Sequence, residues 1–270
     1  MKVIRVFPRQ TRATPCDELA AIDRDPGFFD EADEVHISVA FSYDLPKAEY
    51  LASAWKHVAP VKIGGPATGE HGGDFVPGMY LKGGYVITSR GCPNRCWFCS
   101  VWRREGETVR ELPITEGWNI LDDNLLACSE NHIRSVFAML AKQKERPQFT
   151  GGLEAKRLQP WHVEELLKLK PKQMFFAYDT EDDLEPLQQA GKLLQSAGFK
   201  TSSHCMRAYV LCGFPKDTTI SADHRMSQTL KAGFMPMAML YRDAKGETSR
   251  DWRIFQREWA RPAIIARRTA

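Results

Sequence analysis

A strand-and-helix alternation, repeated six times from residue 85 onward, constrains the fold of this chain more than any other feature. Short runs rich in β-branched and aromatic residues alternate with segments of helical periodicity. We predict strands at 85–89, 118–122, 147–151, 173–178, 205–211 and 236–241, and helices at 130–143, 160–169, 181–197, 218–232 and 250–260. Such alternation gives a parallel sheet with helical crossovers, and six units are too few to close an eight-stranded barrel. The expected fold class is therefore α/β, with an open, partial (βα)6 barrel of the TIM-like kind.

The first part of the chain predicts a smaller βαβ unit in front of this barrel. Its predicted elements are strands at 2–7, 35–41 and 61–63 and a helix at 46–58. The glycine-rich residues 67–83 predict a linker or a folded-over loop. We therefore expect a small α/β segment over residues 1–79 and the partial barrel, with a C-terminal helix, over residues 80–270.

Composition excludes several classes of protein. The 270 residues are 43% hydrophobic and 26% charged, which is ordinary for a globular protein. The net charge of +3 is too small to indicate nucleic acid or a membrane surface as a partner by itself. Arg5 and Pro8 interrupt the N-terminal apolar run too early for a signal peptide, and no stretch is apolar enough to span a bilayer. We expect a cytoplasmic protein without a membrane partner.

Three of the seven cysteines crowd into eight residues, at Cys92, Cys96 and Cys99. Soft thiolates on one short loop favour an iron–sulfur cluster or zinc. A structural zinc site needs a fourth ligand, usually from a second Cys-x2-Cys or His pair, and no such pair follows. Three cysteines on a four-iron cluster leave one iron open to another ligand. A zinc site, or a cluster used only for electron transfer, remains the alternative.

The spacing C-x3-C-x2-C, with Phe98 before the last cysteine, resembles the signature of the radical S-adenosylmethionine superfamily. The resemblance implies a [4Fe-4S] cluster held by the three cysteines, with the cofactor's methionine group on the open iron. It also implies reductive cleavage of S-adenosylmethionine to a 5′-deoxyadenosyl radical, which abstracts hydrogen from a substrate. The family fold is a partial barrel of six βα units, in agreement with the alternation above.

Acidic residues after three predicted strands extend this resemblance. Asp122, Asp123 and Asn124 follow the second strand, where relatives carry a Gly-Gly-Glu segment that holds the methionine amino group. A carboxylate suits an ammonium, although a helix N-cap is an equal alternative. Asp179 ends the fourth strand, where relatives carry a longer glutamate. Glu154, after the third strand, is predicted at the mouth of the barrel.

The segment Leu211 to Thr218 resembles the fifth-strand Gly-x-Pro-Gly-Glu-Thr segment of the family. Lys216 stands where relatives have glycine, and Asp217 stands where they have glutamate. The resemblance implies that Leu211 and Gly213 lie against the cofactor, with Gly213 letting the backbone approach the adenine. A plain strand-to-helix turn is the alternative.

The N-terminal unit resembles a shortened form of the cobalamin-binding domain that precedes the barrel in one branch of the superfamily. That domain holds the corrinoid through an Asp-x-His-x-x-Gly motif, and the sequence around His36 does not contain it. We therefore expect no cobalamin, and we interpret His36 as a histidine with ordinary hydrogen-bond partners.

Two further cysteines lie near predicted strand ends. Cys128 and Cys212 are candidate catalytic thiols, because a weak S–H bond can quench a substrate radical, although burial as small apolar residues is the default. The last predicted helix carries arginines that form a solvated face or contact phosphate, at positions 250, 253, 257 and 261. The substrate stays open between a small molecule, a nucleotide and a peptide, and so does a nucleic-acid partner. The expected reductant is a flavodoxin or a ferredoxin.

Overall fold

The computed structural model describes residues 1–243, 245–260 and 265. Residues 261–264 and 266–270 therefore lie outside the described residues, and Arg261 is one of them. Two hydrophobic cores are present, one centred on Trp55 in the N-terminal part and one on Phe149, Phe176 and Phe234 in the rest of the chain.

The N-terminal part forms a four-stranded parallel sheet. Its elements are β1 (Val3–Phe7), β2 (Ala20–Ile22), β3 (Glu34–Ser38), helix α1 (Leu45–Trp55) and β4 (Val61–Gly64), and the strand order is β2-β1-β3-β4. Strand β2 was not predicted, because three residues with two alanines give little strand signal. Helix α1 begins with proline near its start and buries Ala48, Leu51 and Trp55 against the sheet.

The rest of the chain forms a six-stranded parallel sheet and a small hairpin. In chain order the elements are β5 (Tyr85–Val86), β6 (Ser89–Arg90), α2 (Val101–Arg104), β7 (Arg110–Glu111), β8 (Asn119–Ile120), α3 (Glu130–Ala141), β9 (Gln148–Phe149), α4 (Pro160–Leu169), β10 (Gln173–Tyr178), α5 (Leu184–Ser196), β11 (Met206–Cys212), α6 (Thr219–Lys231), β12 (Met235–Leu240) and α7 (Arg250–Glu258). The six-stranded sheet has the order β12-β11-β10-β9-β8-β5, and β6 pairs with β7 in an antiparallel hairpin. The chain is thus an α/β protein with parallel sheets, as the alternation predicted.

Neighbouring strands of the larger sheet follow one another along the chain. Because all six run parallel, their carboxyl ends lie at one edge, where ligands of parallel sheets bind. The predicted strand 85–89 is wrong in its second half, since the chain leaves the sheet after Val86 and Ser89 enters the hairpin. Helix α5 begins at Leu184 rather than 181, because a single 3-10 turn at Glu181–Asp183 precedes it. Within the described residues, no helix is long and apolar enough to cross a membrane.

Candidate metal and cofactor site

The three clustered cysteines lie on the loop that follows β6, at the carboxyl edge of the larger sheet. Gly91 begins this loop with φ +92°, and a Cβ there would lie 2.5 Å from the Thr108 carbonyl oxygen, so only glycine fits. The Cys92 amide donates to the Gly106 carbonyl at 3.2 Å. The Cys99 amide donates back to the Cys96 carbonyl at 3.1 Å. These bonds fold the loop on itself.

The thiols influence one another electrostatically. Burial, together with the charges of the neighbouring Cys99 and Cys92, raises the pKa of Cys96 to about 11. Burial also raises the pKa of Cys99, although the Val101 amide, 3.5 Å from its sulfur, opposes that shift. Three neighbouring thiols on one loop form a donor set for a shared metal cluster, and a positive metal would stabilise the thiolates of Cys96 and Cys99, whose pKa burial raises.

A buried glutamate that sequence reasoning missed supports the far side of this loop. The Glu105 side chain is 1% exposed and accepts hydrogen bonds from Arg104 and Arg110, both at 2.9 Å. The Gly72 amide, in the glycine-rich linker, donates to the same carboxylate at 3.1 Å. Glu105 therefore ties the linker to the cysteine loop. An acidic residue among arginines just beyond the last cysteine was the available sequence signal.

Asp122 lies directly behind the cysteine loop and is 1% exposed. Its carboxylate accepts hydrogen bonds from the Thr88 amide and hydroxyl, both at 2.6 Å, and from the Ser89 hydroxyl at 2.7 Å. Burial raises its pKa, and these three donors oppose the shift. In the structure Asp122 thus fixes the residues that precede the cysteines, and its predicted contact with a cofactor stays a prediction.

Asp123 also holds the backbone just before the cysteines. Its carboxylate accepts a hydrogen bond from the Gly91 amide at 2.9 Å, next to Cys92. Burial raises the pKa of Asp123, and the Gly91 amide lowers it. Neither aspartate caps a helix, because α3 is capped by the Ser129 side chain instead. Asn124 stands at the N-cap position of the 3-10 turn Leu125–Ala127, but its side chain makes no capping hydrogen bond there.

Asn124 connects the cysteine loop with the next strand end. It is 4% exposed, and its Nδ2 lies 3.5 Å from the Cys92 sulfur and 2.7 Å from Glu154 Oε2. Glu154 Oε2 also accepts Arg157 Nε at 2.6 Å. The Asn124 Oδ1 atom is buried and has no hydrogen-bond partner among the described residues. An acceptor left in this condition costs folding free energy, so it indicates a missing donor beside Cys92.

Asp179 and Leu211 meet across β10 and β11. The Leu211 amide donates to Asp179 Oδ1 at 3.0 Å. Burial, together with the nearby Asp183 charge, raises the pKa of Asp179 to about 7. Asp179 and Asp183 also raise the pKa of Cys96, so this strand end faces the cysteine loop.

The turn after β11 is built around Asp217. Its carboxylate accepts the Gly213 amide at 2.9 Å and pairs with Arg225 at 2.7 Å. Arg225 also donates to the Leu211 carbonyl at 3.0 Å. Lys216 has φ +72°, the left-handed conformation that glycine adopts freely. The lysine thus occupies a glycine-like backbone position, in agreement with the segment to which it was compared.

Aromatic rings cover the mouth of the site. Phe98 packs edge-on against Trp97, with ring centroids 5.4 Å apart. Trp97 also contacts Phe214 and Tyr241, both with centroids 5.7 Å away, and it is half exposed. The loop is therefore held against the ends of β11 and β12 by ring contacts.

The two candidate catalytic thiols lie in different surroundings. Cys212 is fully buried, its sulfur donates to the Met239 carbonyl at 3.6 Å, and burial raises its pKa to about 12. Cys128 lies behind the cysteine loop near Ser89 and Asp122, and burial raises its pKa to about 12. Both are protonated thiols at neutral pH, as hydrogen-atom donation requires. That role stays a prediction for each.

Comparisons with known proteins add no family name to this geometry. No family model matches the chain, and no curated protein sequence matches it. What the site can do must therefore be argued from its own side chains. These are three soft thiols, a buried amide oxygen and several carboxylates, gathered at one sheet edge.

Proposed function

We propose that this chain is a radical S-adenosylmethionine enzyme. The observation that carries the proposal is the cysteine loop with C-x3-C-x2-C spacing, folded so that its thiols influence one another electrostatically at the carboxyl edge of a six-stranded parallel sheet. Strands of that sheet in consecutive order are what an open (βα)6 barrel requires, and the barrel is part of the proposal.

The donor set fits a [4Fe-4S] cluster with one open iron. Thiolates are the usual ligands of such clusters, and Cys92, Cys96 and Cys99 supply three. Burial raises the pKa of Cys96 and of Cys99, and positive iron would stabilise both thiolates. When bound, the cluster and S-adenosylmethionine would supply one-electron chemistry that yields a 5′-deoxyadenosyl radical.

The residues of the chain bind and orient the cofactor. Asn124 Oδ1 and Glu154 lie beside Cys92 and offer acceptors to an ammonium such as the methionine amino group. Asp122 and Asp123 hold the loop that carries the cysteines. Asp179, Leu211 and Gly213 form the far wall, toward the expected place of the adenosine. Trp97 and Phe98 limit the access of water.

Several wider expectations belong to the same proposal. All seven cysteines are free thiols, which suits a reducing, cytoplasmic compartment. The electron would come from a flavodoxin or a ferredoxin. The substrate remains open between a small molecule, a nucleotide and a peptide.

The proposal is tested by cofactor cleavage. Protein reconstituted anaerobically with iron and sulfide is mixed with dithionite and S-adenosylmethionine, and 5′-deoxyadenosine is quantified by chromatography. We expect its formation by the native chain and by Cys205→Ala, which removes a buried thiol far from the loop, but not by Cys96→Ala. A brown protein that forms none would be an electron carrier, and a colourless one that retains zinc at the loop would be a zinc protein. Either result overturns the proposal.

A further inference from the structure

A second cluster of metal-binding side chains lies behind the cysteine loop. One ligand atom each from Asp122, Cys128 and His132 lies within 4.8 Å of the other two. Asp122 and His132 are buried, and Cys128 is partly buried. Asp122 follows β8, Cys128 precedes α3 and His132 lies in the first turn of α3, so the cluster connects one strand with one helix.

The orientation of the His132 ring is that of a metal ligand with a supporting carboxylate. Its Nε2 lies 3.2 Å from the Thr88 hydroxyl, which donates to Asp122, so Nε2 points to the Asp122 side. Its Nδ1 lies 3.8 Å from Glu111 Oε2 on the other side. Metal-binding histidines characteristically direct the second ring nitrogen toward a carboxylate, which fixes the tautomer.

The hydrogen atoms of this cluster fit more than one arrangement. The Thr88 hydroxyl, when it donates to Asp122, can accept a hydrogen bond from Nε2 of an imidazolium, and a protonated Asp122 can instead donate to Thr88, which then donates to Nε2. A metal bound to Nε2, with the ring hydrogen on Nδ1 toward Glu111, is a third arrangement.

The sulfur of Cys128 favours the metal. The two nearby carboxylates would stabilise an imidazolium, but an imidazolium does not explain why a thiol lies beside Asp122 and His132. Sulfur, imidazole nitrogen and carboxylate oxygen together are the ligands of zinc. A thiolate and a carboxylate carry two negative charges, which a divalent cation balances inside the protein.

We propose that Asp122, Cys128 and His132 form a zinc site that is separate from the cysteine loop. Zinc displaces the Cys128 thiol proton, binds the three side chains, and leaves its fourth position to a solvent molecule. Because Asp122 also holds Ser89, three residues before Cys92, the ion would stiffen the base of the cysteine loop. A Cys128 thiolate bound to zinc has no S–H hydrogen to give, which would leave Cys212 as the candidate donor.

The test uses the full chain with Cys92, Cys96 and Cys99 all changed to alanine, so that no metal can bind the loop. After dialysis against zinc and then against metal-free buffer, mass spectrometry should find about one zinc per chain, the stoichiometry of a single three-ligand site. Adding His132→Asn or Cys128→Ser should remove most of it. Adding Cys205→Ser, which changes a buried thiol outside this cluster, should leave the zinc content unchanged, and circular dichroism checks that each variant is folded.

Cobalt provides a second measurement that reports on sulfur directly. A thiolate-to-cobalt absorption band should appear in the cobalt-loaded background and vanish in Cys128→Ser. A folded background that retains no zinc, or a cobalt band that persists in Cys128→Ser, would overturn the proposal and favour the imidazolium network. Because the background lacks the cysteine loop ligands, neither result depends on whether the chain cleaves S-adenosylmethionine.

Discussion

The two parallel sheets of this molecule place very different chemistry at their carboxyl edges. The larger edge carries three neighbouring thiols and the buried Asn124 amide oxygen. The smaller edge borders a cavity of about 440 Å³ whose lining includes His36 and Lys62. His36 bonds Tyr80 through Nδ1 at 2.7 Å and Glu34 through Nε2 at 2.8 Å, and Lys62 pairs with Glu34 at 2.8 Å.

This difference shows that topology decides where a ligand could bind, whereas the side chains decide which ligand chemistry is available there. Parallel strands bring their carboxyl ends together in both sheets, so both edges are places where a ligand could bind. Among the described residues, the larger edge holds three soft thiols and a buried amide oxygen that has no hydrogen-bond partner. The interpretation of His36 as a histidine with ordinary partners is confirmed by its two hydrogen bonds.

The largest expected effect is on iron content, which should depend on residues at the larger edge and not on residues at the smaller edge. Reconstituted native protein should hold about four iron and four sulfide per chain, as a [4Fe-4S] cluster does. Changing Cys92, Cys96 or Cys99 to alanine removes a thiolate and should abolish most of this iron. His36→Ala, at the other edge, should leave it unchanged. A single cysteine variant that keeps the full content would show that the loop does not hold the cluster.

The second effect concerns the acceptor beside Cys92. Asn124→Ala should weaken S-adenosylmethionine binding about tenfold, because a hydrogen bond to a charged group is lost. Calorimetry on cluster-loaded protein measures the dissociation constant, with Lys62→Ala as the control at the smaller edge. The double change of Asp122 and Asp123 to asparagine tests their predicted cofactor role in the same assay. Unchanged affinity in every variant would remove this segment from the cofactor site.

The third effect is a pH dependence of stability at Asp179. The pKa of this carboxyl rises from 3.8 to about 7 on folding, so between these values the folded protein holds a proton that the unfolded chain has released. The free energy of unfolding therefore falls as pH rises through this range. Asp179→Asn stays neutral and still accepts the Leu211 amide, so it should raise stability at pH 8 by about 2 kcal/mol.

The measurement is urea unfolding of cluster-free protein at pH 5 and pH 8. The gain of Asp179→Asn over the native chain should be larger at pH 8 than at pH 5. Asp182→Asn changes an exposed neighbour and should show no such difference. Equal gains at the two pH values would mean that Asp179 ionises normally in the folded protein.

The smallest expected signal comes from the smaller edge. We predict that no corrinoid is retained there, because His36 has partners on both ring nitrogens and the lower-ligand motif is missing. Protein incubated with hydroxocobalamin and then desalted should show no corrinoid absorbance. Retention of one corrinoid per chain would contradict this prediction and would show that the smaller edge also binds a cofactor.

The sequence allowed the parallel architecture and the cysteine loop to be predicted, because both depend on local patterns. Helix α4 and strand β10 have the predicted bounds, since Pro160 begins one and a run of buried aromatic residues forms the other. The short strands at 119–120 and 148–149 were predicted too long, because pairing between strands, not residue preference, decides where a ladder ends.

The partners within the site could not be predicted in this way. Asp122 was assigned to a cofactor, whereas its carboxylate bonds Thr88 and Ser89, which are more than thirty residues away in the chain. Glu105, with its arginines, was missed because burial of a charge among distant partners leaves no local pattern. Such contacts depend on how the strands assemble, and spacing along the chain does not contain them.

The most direct test of the central claim is the electron paramagnetic resonance spectrum of the dithionite-reduced, reconstituted protein. A cluster with three cysteine ligands has an open iron that S-adenosylmethionine can reach, so adding the cofactor should change the g-values of the reduced cluster. The same addition to Asn124→Ala should require a higher cofactor concentration for the same change. A spectrum that is identical with and without S-adenosylmethionine, in protein that holds its full iron, would contradict the account.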